Sequence, residues 1–302
     1  MKLPTVEHRY RTPLMDSGRW QRYRPRDPDV IISTPYKCGT TWTQWICALL
    51  IFGIDRLPAP LAQVSPWLDQ NVYPIDEVIA RLEAQTHRRF IKSHTPLSAL
   101  PYFPKVTYLV CGRDPRDVFF SMENHYANLD MEKFLPLISS VSGLTDAPPV
   151  LPDDVNARFR LWLTQGTVPW ETDGYPFWSV FYHLQSFWRF RQLPNIHFIH
   201  YADLKRDLEG QMRRIALLLD IGVPERDWSR MVDAARFESM KERHEDLAPN
   251  VNQGLWRDAA KFFNKGVHGQ WQGVLDDASL ESYQEVKRAR LEPALSAWID
   301  HL

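Results

Sequence analysis

The chain has 302 residues, enough for one large α/β domain with a sizeable core. Lys and Arg total 36 against 37 Asp and Glu, a formal net charge of -1 that argues against sequence-wide attraction to nucleic acid or acidic membrane, so any anion site must be local. The three cysteines, Cys38, Cys47 and Cys111, are odd in number and too sparse for a disulfide framework, and they read as free thiols of a reducing compartment.

Met1 to Arg11 is polar and charged with no apolar h-region, which predicts a cytoplasmic protein. Residues 1–28, rich in Pro, Arg and Tyr without periodicity, predict an irregular lead-in lying over the domain. Val30 to Ser33 is short, apolar and β-branched and ends at a Pro/Gly loop, so it predicts a buried strand. After the loop, Thr41 is the expected cap of a helix running through Trp45, Ile46, Leu49 and Leu50 to about Gly53. The apolar run Trp45 to Ile54 is the longest in the chain and falls short of the roughly 20 residues that cross a bilayer. Further strands are expected at 89–92, 106–111 and 196–200, alternating with helices at roughly 115–126, 178–192, 204–219 and 279–300. That alternation predicts a parallel sheet covered on both faces, within one domain spanning 1–302. Residues 131–176, with several Pro and Gly, predict a variable, irregular insert on the acceptor side that acts as a lid or binding loop.

The loop Thr34-Pro35-Tyr36-Lys37-Cys38-Gly39-Thr40-Thr41-Trp42 lies between a strand and a helix. Main-chain N–H groups at the helix start face an anion there, and Lys37, Thr40 and Thr41 add a charge and two hydroxyls. It fails the pattern GxxxxGK[ST], since Lys precedes Gly and no Ser or Thr follows a Lys to hold magnesium, which argues against ATP or GTP hydrolysis. PYKCGTTW resembles YPKSGTTW, the phosphosulfate loop of the cytosolic sulfotransferase family, with Tyr and Pro swapped and Cys38 in place of Ser. The resemblance implies that Lys37, Cys38, Gly39, Thr40 and Thr41 hold the 5′-phosphosulfate of 3′-phosphoadenosine 5′-phosphosulfate (PAPS), with Trp42 stacked on adenine.

Five more segments carry the resemblance in family order. Arg89 to Pro101, RFIKSHTPLSALP, is similar to RFIKTHLPLSLLP. It implies that His94 is the general base and Lys92 a supporting cation, roles that suit a side chain titrating near neutrality and an ammonium. Val106 to Ser121, VTYLVCGRDPRDVFFS, resembles YVARNAKDVAVS, which implies that Arg113 and Ser121 grip the 3′-phosphate and that Ser121 also restrains Lys37. Tyr201 opens YADLK, similar to YEDLK, and implies a ring near adenine. Phe237 and Met240 lie in RFESMK, similar to SFKEMK, and imply packing on adenine, whereas Ala235 and Arg236 replace the Thr or Ser the family places there. Phe263 to Trp271, FNKGVHGQW, resembles FRKGxxGDW, so Asn264, Lys265 and Gly266 are implied to close on the 3′-phosphate. Asn264 for Arg removes a charge-assisted contact worth about 1.5 to 3 kcal/mol, unless Lys261 or Arg257 compensates.

Taken together, the resemblance implies a single three-layer, P-loop-like α/β domain with about five parallel strands and helices on both faces. It implies in-line transfer of a sulfuryl group from PAPS to a hydroxyl, without metal, giving 3′,5′-adenosine bisphosphate (PAP). Aromatics make up 13% of the chain, including 12 Trp. Trp67, Tyr73, Phe134, Trp162, Trp170, Tyr175, Phe177 and Trp178 crowd the variable regions, which favours an apolar pocket for a phenol, steroid or other lipophilic alcohol, with core packing as the alternative for any one of them. The family dimer motif KxxxTVxxxE corresponds to Gln272 to Glu281, where only the Glu remains, so a monomer is expected. Three alternatives stay open. A nucleotide kinase or triphosphatase is opposed by the missing GK[ST], and a non-catalytic binder by the retained Lys37, Lys92 and His94. A carbohydrate sulfotransferase with a Glu base is opposed by His94.

Overall fold

The computed structural model describes residues 2–54, 56–144 and 149–301; Met1 of the lead-in and residues 145–148 of the 131–176 insert lie outside them. Val30–Ser33 is strand β1, buried at all four residues. Phe90–Ser93 (β2), Thr107–Gly112 (β3) and Ile196–His200 (β4) join it in a parallel sheet of order β2-β1-β3-β4. Helix α1, Thr40–Phe52, follows β1; α2, Pro115–Asn128, follows β3; α3, Val180–Trp188, precedes β4.

Successive side chains of a strand point to opposite faces. Val30 and Ile32 therefore pack with Trp45, Ile46 and Leu49 of α1 and with Met212 and Ile215, while Ile31 packs with Phe181, Leu184 and Phe187 of α3 and with Tyr283. Both faces of the sheet are buried under helices, as a parallel sheet requires, and the molecule is a three-layer α/β domain. The lead-in lies over one layer, burying Tyr10, Met15 and Trp20.

The sheet has four strands among the described residues, one fewer than the sequence suggested. A fifth position beside β2 is filled by the segment 66–68, which meets β2 at a single parallel bridge, Trp67 to Lys92. Lys92 N–H donates to the Pro66 carbonyl (3.0 Å) and Leu68 N–H to the Lys92 carbonyl (3.4 Å). Pro66 has no N–H to extend that ladder.

The helices also differ in detail. The expected 204–219 helix is two, Tyr201–Arg206 and Leu208–Leu218, because the Asp207 side chain accepts from Gly210 N–H and caps the second. The 279–300 helix is also two, Asp277–Arg290 and Pro293–Ile299, the second opening on a Pro that cannot continue the first. Among the described residues the 131–176 insert contains two helices, Met131–Ser142 and Val155–Thr164, capped by Asp130 and Asp154.

What positions the site is the parallel run of the strands, which brings their carboxyl ends to one edge of the sheet. Ser33 pairs with Ser93 and Gly112 with His200, and because Ile32 aligns with Leu109, β3 and β4 run two residues past the ends of β1 and β2. β1 sits between β2 and β3, which makes its end the switch point where a parallel sheet opens a crevice.

Candidate active site

A cavity of about 170 Å³ opens at that edge. Lys37, Gly39, Thr40, Thr41 and Trp42 line it from the β1 loop and the start of α1, Lys92 and His94 from the end of β2, and Arg113 and Ser121 from β3 and α2. Tyr201 after β4, Phe237, Met240, Asn264, Lys265 and Gly266 complete the same wall. Cys38 is the one expected site residue whose side chain stays out: it is fully buried in the core, which leaves its main chain alone near the loop.

The loop takes its shape from two left-handed residues, Lys37 (φ 60) and Gly39 (φ 94). Such turns aim main-chain N–H groups inward, and the first N–H groups of α1 have no intrahelical partner. A Cβ at Gly39 would lie 3.0 Å from the Tyr201 ring and 3.5 Å from Cys111 Sγ, so backbone and neighbours both demand glycine. Lys37 Nζ is 3.2 Å from His125 Nδ1 and 4.8 Å from the Phe262 ring centre. Burial, with Lys92 and Arg113 nearby, lowers the Lys37 pKa to about 7. Burial lowers Lys92 to about 8 against the pull of Asp69, and its ammonium lies 4.5 Å over the Trp67 ring.

His94 is buried and its Nδ1 lies 2.7 Å from the Thr34 carbonyl. A carbonyl only accepts, so Nδ1 carries the proton and Nε2 keeps its lone pair. Burial first, and then the Lys92 charge, hold the imidazolium well below the ordinary histidine range. The outcome is an imidazole that is neutral at neutral pH, with the Nε2 lone pair left unprotonated.

Arg113 donates to the carbonyls of Lys37 (3.3 Å) and Val267 (3.0 Å), lies 4.4 Å over the Tyr201 ring, and keeps a buried Nε without a protein acceptor. A guanidinium N–H left over in a cationic cavity fits an anionic ligand. Trp42 is tethered by Nε1 to the Ala235 carbonyl (2.8 Å) and meets Tyr201 edge to face. Gly266 (φ 59) lies so close to Phe237 that a Cβ would stand 2.7 Å from the ring. The loop beyond is hung from Asp117, which accepts from Gly269 N–H (3.1 Å) and Gln270 N–H (2.9 Å). Burial pushes the Asp117 carboxyl up, but His268, Arg113 and those two N–H groups outweigh it and hold it below the usual range.

Some residues near the chemistry were not foreseen. Lys37 meets His125, one helical turn beyond Ser121 on α2, where the resemblance pointed to Ser121 itself. The spacing of four, which puts both on one helix face, is the signal that could have found it. Lys261 lines the cavity beside Asn264, whereas Arg257 does not. Of the eight aromatics singled out earlier, Trp67, Phe134 and Phe177 line the cavity; Trp162 and Trp178 are buried in the core. With Leu14, Tyr36, Leu129, Leu255 and Trp256 they make one side of it apolar. Among the described residues no His, Cys, Asp and Glu cluster is placed to hold a metal, and no helix is long and apolar enough to cross a membrane.

Comparison with known proteins gives the family of the chain. A model of the sulfotransferase domain matches residues 27–294. A glycolipid sulfotransferase of Mycobacterium bovis is 38% identical, over 96% of this chain and 93% of that one. Human sulfotransferase 2A1 is 28% identical over 90% and 88%. In fold, the chain is similar to retinol dehydratase in a complex with retinol and PAP, with a TM-score of 0.69 at 21% identity over 92% and 87% of the two chains. It is also similar to mouse sulfotransferase SULT7A1 complexed with PAP, with a TM-score of 0.65 at 20% identity over 94% and 92%. The chain therefore belongs to the sulfotransferase family, as an enzyme that takes PAPS as co-substrate and leaves PAP as product.

Proposed function

We propose that this sulfotransferase transfers the sulfuryl group in line to a hydroxyl of a small aromatic or lipophilic alcohol, with His94 as general base. The observation that carries the reading is the fixed tautomer of a buried, neutral His94 that lines the cavity together with Lys37, Lys92 and apolar side chains. Bound PAPS supplies an activated sulfuryl group on a phosphate leaving group, with a loose transition state whose charge spreads over oxygens. Nε2 of His94 takes the acceptor's hydroxyl proton, which makes the oxygen nucleophilic as it attacks. Lys37 and the N–H groups of Gly39 to Thr41 meet the negative charge that builds on the leaving side, and Lys92 orients the sulfuryl oxygens.

Arg113, Ser121, Lys265, Gly266 and Asn264 hold the 3′-phosphate, with Lys261 supplying the cation that Asn264 lacks. Trp42, Tyr201, Phe237 and Met240 frame adenine. Leu129, Phe134, Leu255 and Trp256 favour a lipophilic acceptor, and the name of the mycobacterial relative adds lipid-linked sugar alcohols to the phenols and steroids to be tried. Phe134 lies on Met131–Ser142, which supports the 131–176 insert as the cover of the acceptor side. The segment holding Asp276 is engaged internally, accepting from Ser279 N–H and donating its own N–H to Asn156, which favours a monomer.

The test is calorimetric titration with PAP in the absence of magnesium, for the wild type and for His94→Ala. It is followed by turnover of PAPS with 4-nitrophenol, a steroid alcohol and an alkyl glycoside. Both proteins should bind PAP, and the variant should lose about 10²- to 10⁴-fold in rate, the usual worth of a general base. Full turnover by His94→Ala would remove the base from the mechanism, and no acceptance of any lipophilic alcohol by the wild type would remove the acceptor class.

A further inference from the structure

The donor loop departs from its family pattern in the order Pro35-Tyr36, and the function described so far makes no use of that swap. The structure shows what it does. The Tyr36 ring is stacked on the His94 imidazole, with centroids 4.0 Å apart and planes 17° from parallel. Tyr36 is also stacked on the buried Trp178, at 5.0 Å and 22°. Trp67 meets His94 edge-on at 4.7 Å and 83°, and meets Tyr36 at 5.8 Å and 67°. The imidazole is therefore held by one aromatic face, one aromatic edge and the hydrogen bond from Nδ1 to the Thr34 carbonyl.

We propose that Tyr36 is a positioning residue for the base: its ring fixes the plane of His94, so that Nδ1 stays on the Thr34 carbonyl and Nε2 stays aimed at the acceptor. The proposal rests on the reading of His94 as general base. A proline at this position has no flat π-face to offer, so the reversed order exchanges a rigid backbone residue for an aromatic clamp. The phenol itself is no base for the reaction. Burial and the Asp69 charge hold its pKa well above the ordinary value, so it stays neutral. Its contribution is geometric, and stacked pairs of this kind gain more than the area they bury.

The clamp also keeps water from the imidazole, and burial is the largest reason that His94 remains neutral. The charged and titratable groups that face His94 are Lys92 on β2, His125 on α2 and His183 on α3, with the Thr34 carbonyl opposing them. None of these is altered when Tyr36 is replaced, so a change in His94 titration reports the clamp.

The test uses the full chain with ¹⁵N-labelled histidine and PAP bound, in Tyr36→Phe and Tyr36→Leu. Imidazole nitrogen signals give the tautomer and titration midpoint of His94, identified by comparison with His94→Ala. Tyr36→Phe keeps the ring and should keep a single Nδ1–H tautomer with the wild-type midpoint. Tyr36→Leu should give a mixture of tautomers and a midpoint that climbs toward the ordinary histidine value. With 4-nitrophenol as acceptor, kcat should fall roughly 10- to 100-fold, the scale of a small misplacement of a reacting group, while PAP affinity stays within about threefold. Should Leu prevent PAP binding, Tyr36→Met, unbranched and without a planar face, carries the same comparison. A single tautomer and an unchanged midpoint in the folded Leu or Met variant overturn the proposal. The nitrogen signals do not depend on turnover, so an inactive wild type would count against the functional reading and leave this comparison intact.

Discussion

In the proposed mechanism Lys37 is charged when it meets the leaving phosphate, whereas the free protein holds its pKa at about 7, through burial first and then through Lys92 and Arg113. The unfolded value of a lysine is about 10.4. Between those values the unfolded chain binds more protons than the folded one, so the stability of the nucleotide-free protein rises with pH across the window from about 7 toward 10. Lys92, lowered to about 8, adds to the same slope. A bound anion reverses the balance, because negative charge beside an ammonium favours its protonated form. PAP binding at pH 8 is therefore expected to draw protons from solution. Calorimetry in buffers of low and high ionisation enthalpy would measure the uptake, and Lys37→Met should remove most of it. A binding enthalpy independent of buffer in the wild type would show that Lys37 is already protonated, or that it does not meet the nucleotide.

The cavity is assembled from elements whose shapes were legible in the sequence to different degrees. β1, its loop and α1 form a local pattern, an apolar β-branched run followed by a Gly-containing turn and an apolar helix, and the structure reproduces it, except that the helix is capped by Gly39, two residues before the expected Thr41. The long helices were not legible as broken, because an Asp207 cap and a Pro293 start act at single positions within continuous apolar periodicity. The Met131–Ser142 helix was hidden by Pro136, which sits inside it despite its cost. The loop at 263–271 was recognised by its residues, but its anchor was not, since Asp117 reaches it across 152 positions of chain. Asp117→Asn keeps the volume and removes the charge that holds two N–H groups and faces His268 and Arg113. Charge-assisted hydrogen bonds contribute about 1.5 to 3 kcal/mol, and an amide oxygen retains part of that, so PAP affinity should fall roughly tenfold. Titration of the variant with PAP and with adenosine 5′-phosphate would locate the loss: a loop that grips the 3′-phosphate weakens only the first. Equal losses for both nucleotides would place the effect elsewhere.

At the scale of the whole molecule, the carboxyl ends of four parallel strands bring together residues from Lys37 to Gly266, and the opposite ends must hold that sheet in register. Arg89 and Asp29 do so where β1 and β2 begin. Arg89 is 0% exposed and Asp29 2%, with Arg89 Nε 2.9 Å from Asp29 Oδ1. Arg89 also donates to the Arg24 carbonyl (2.7 Å), and Tyr23 donates its hydroxyl to Asp29, so the pair ties the lead-in to both strands. The sequence shows Arg89 only as part of a family-like segment, because the pairing depends on a register that aligns Val30 with Phe90. Breaking such a pair from one side costs about 3 to 5 kcal/mol where the remaining charge is left alone; Glu83 Oε1 stays 3.1 Å from an Arg89 Nη, so the lower end of that range, about 3 kcal/mol, is expected here. Asp29→Ala should accordingly lower stability by that amount in urea unfolding, while the folded protein binds PAP as the wild type does, since the pair lies at the far end of the sheet from the cavity. A loss under about 1 kcal/mol would mean that water reaches Arg89 once Asp29 is gone. A folded variant with weakened PAP binding would mean that strand register at one end of the sheet sets the geometry of the site at the other.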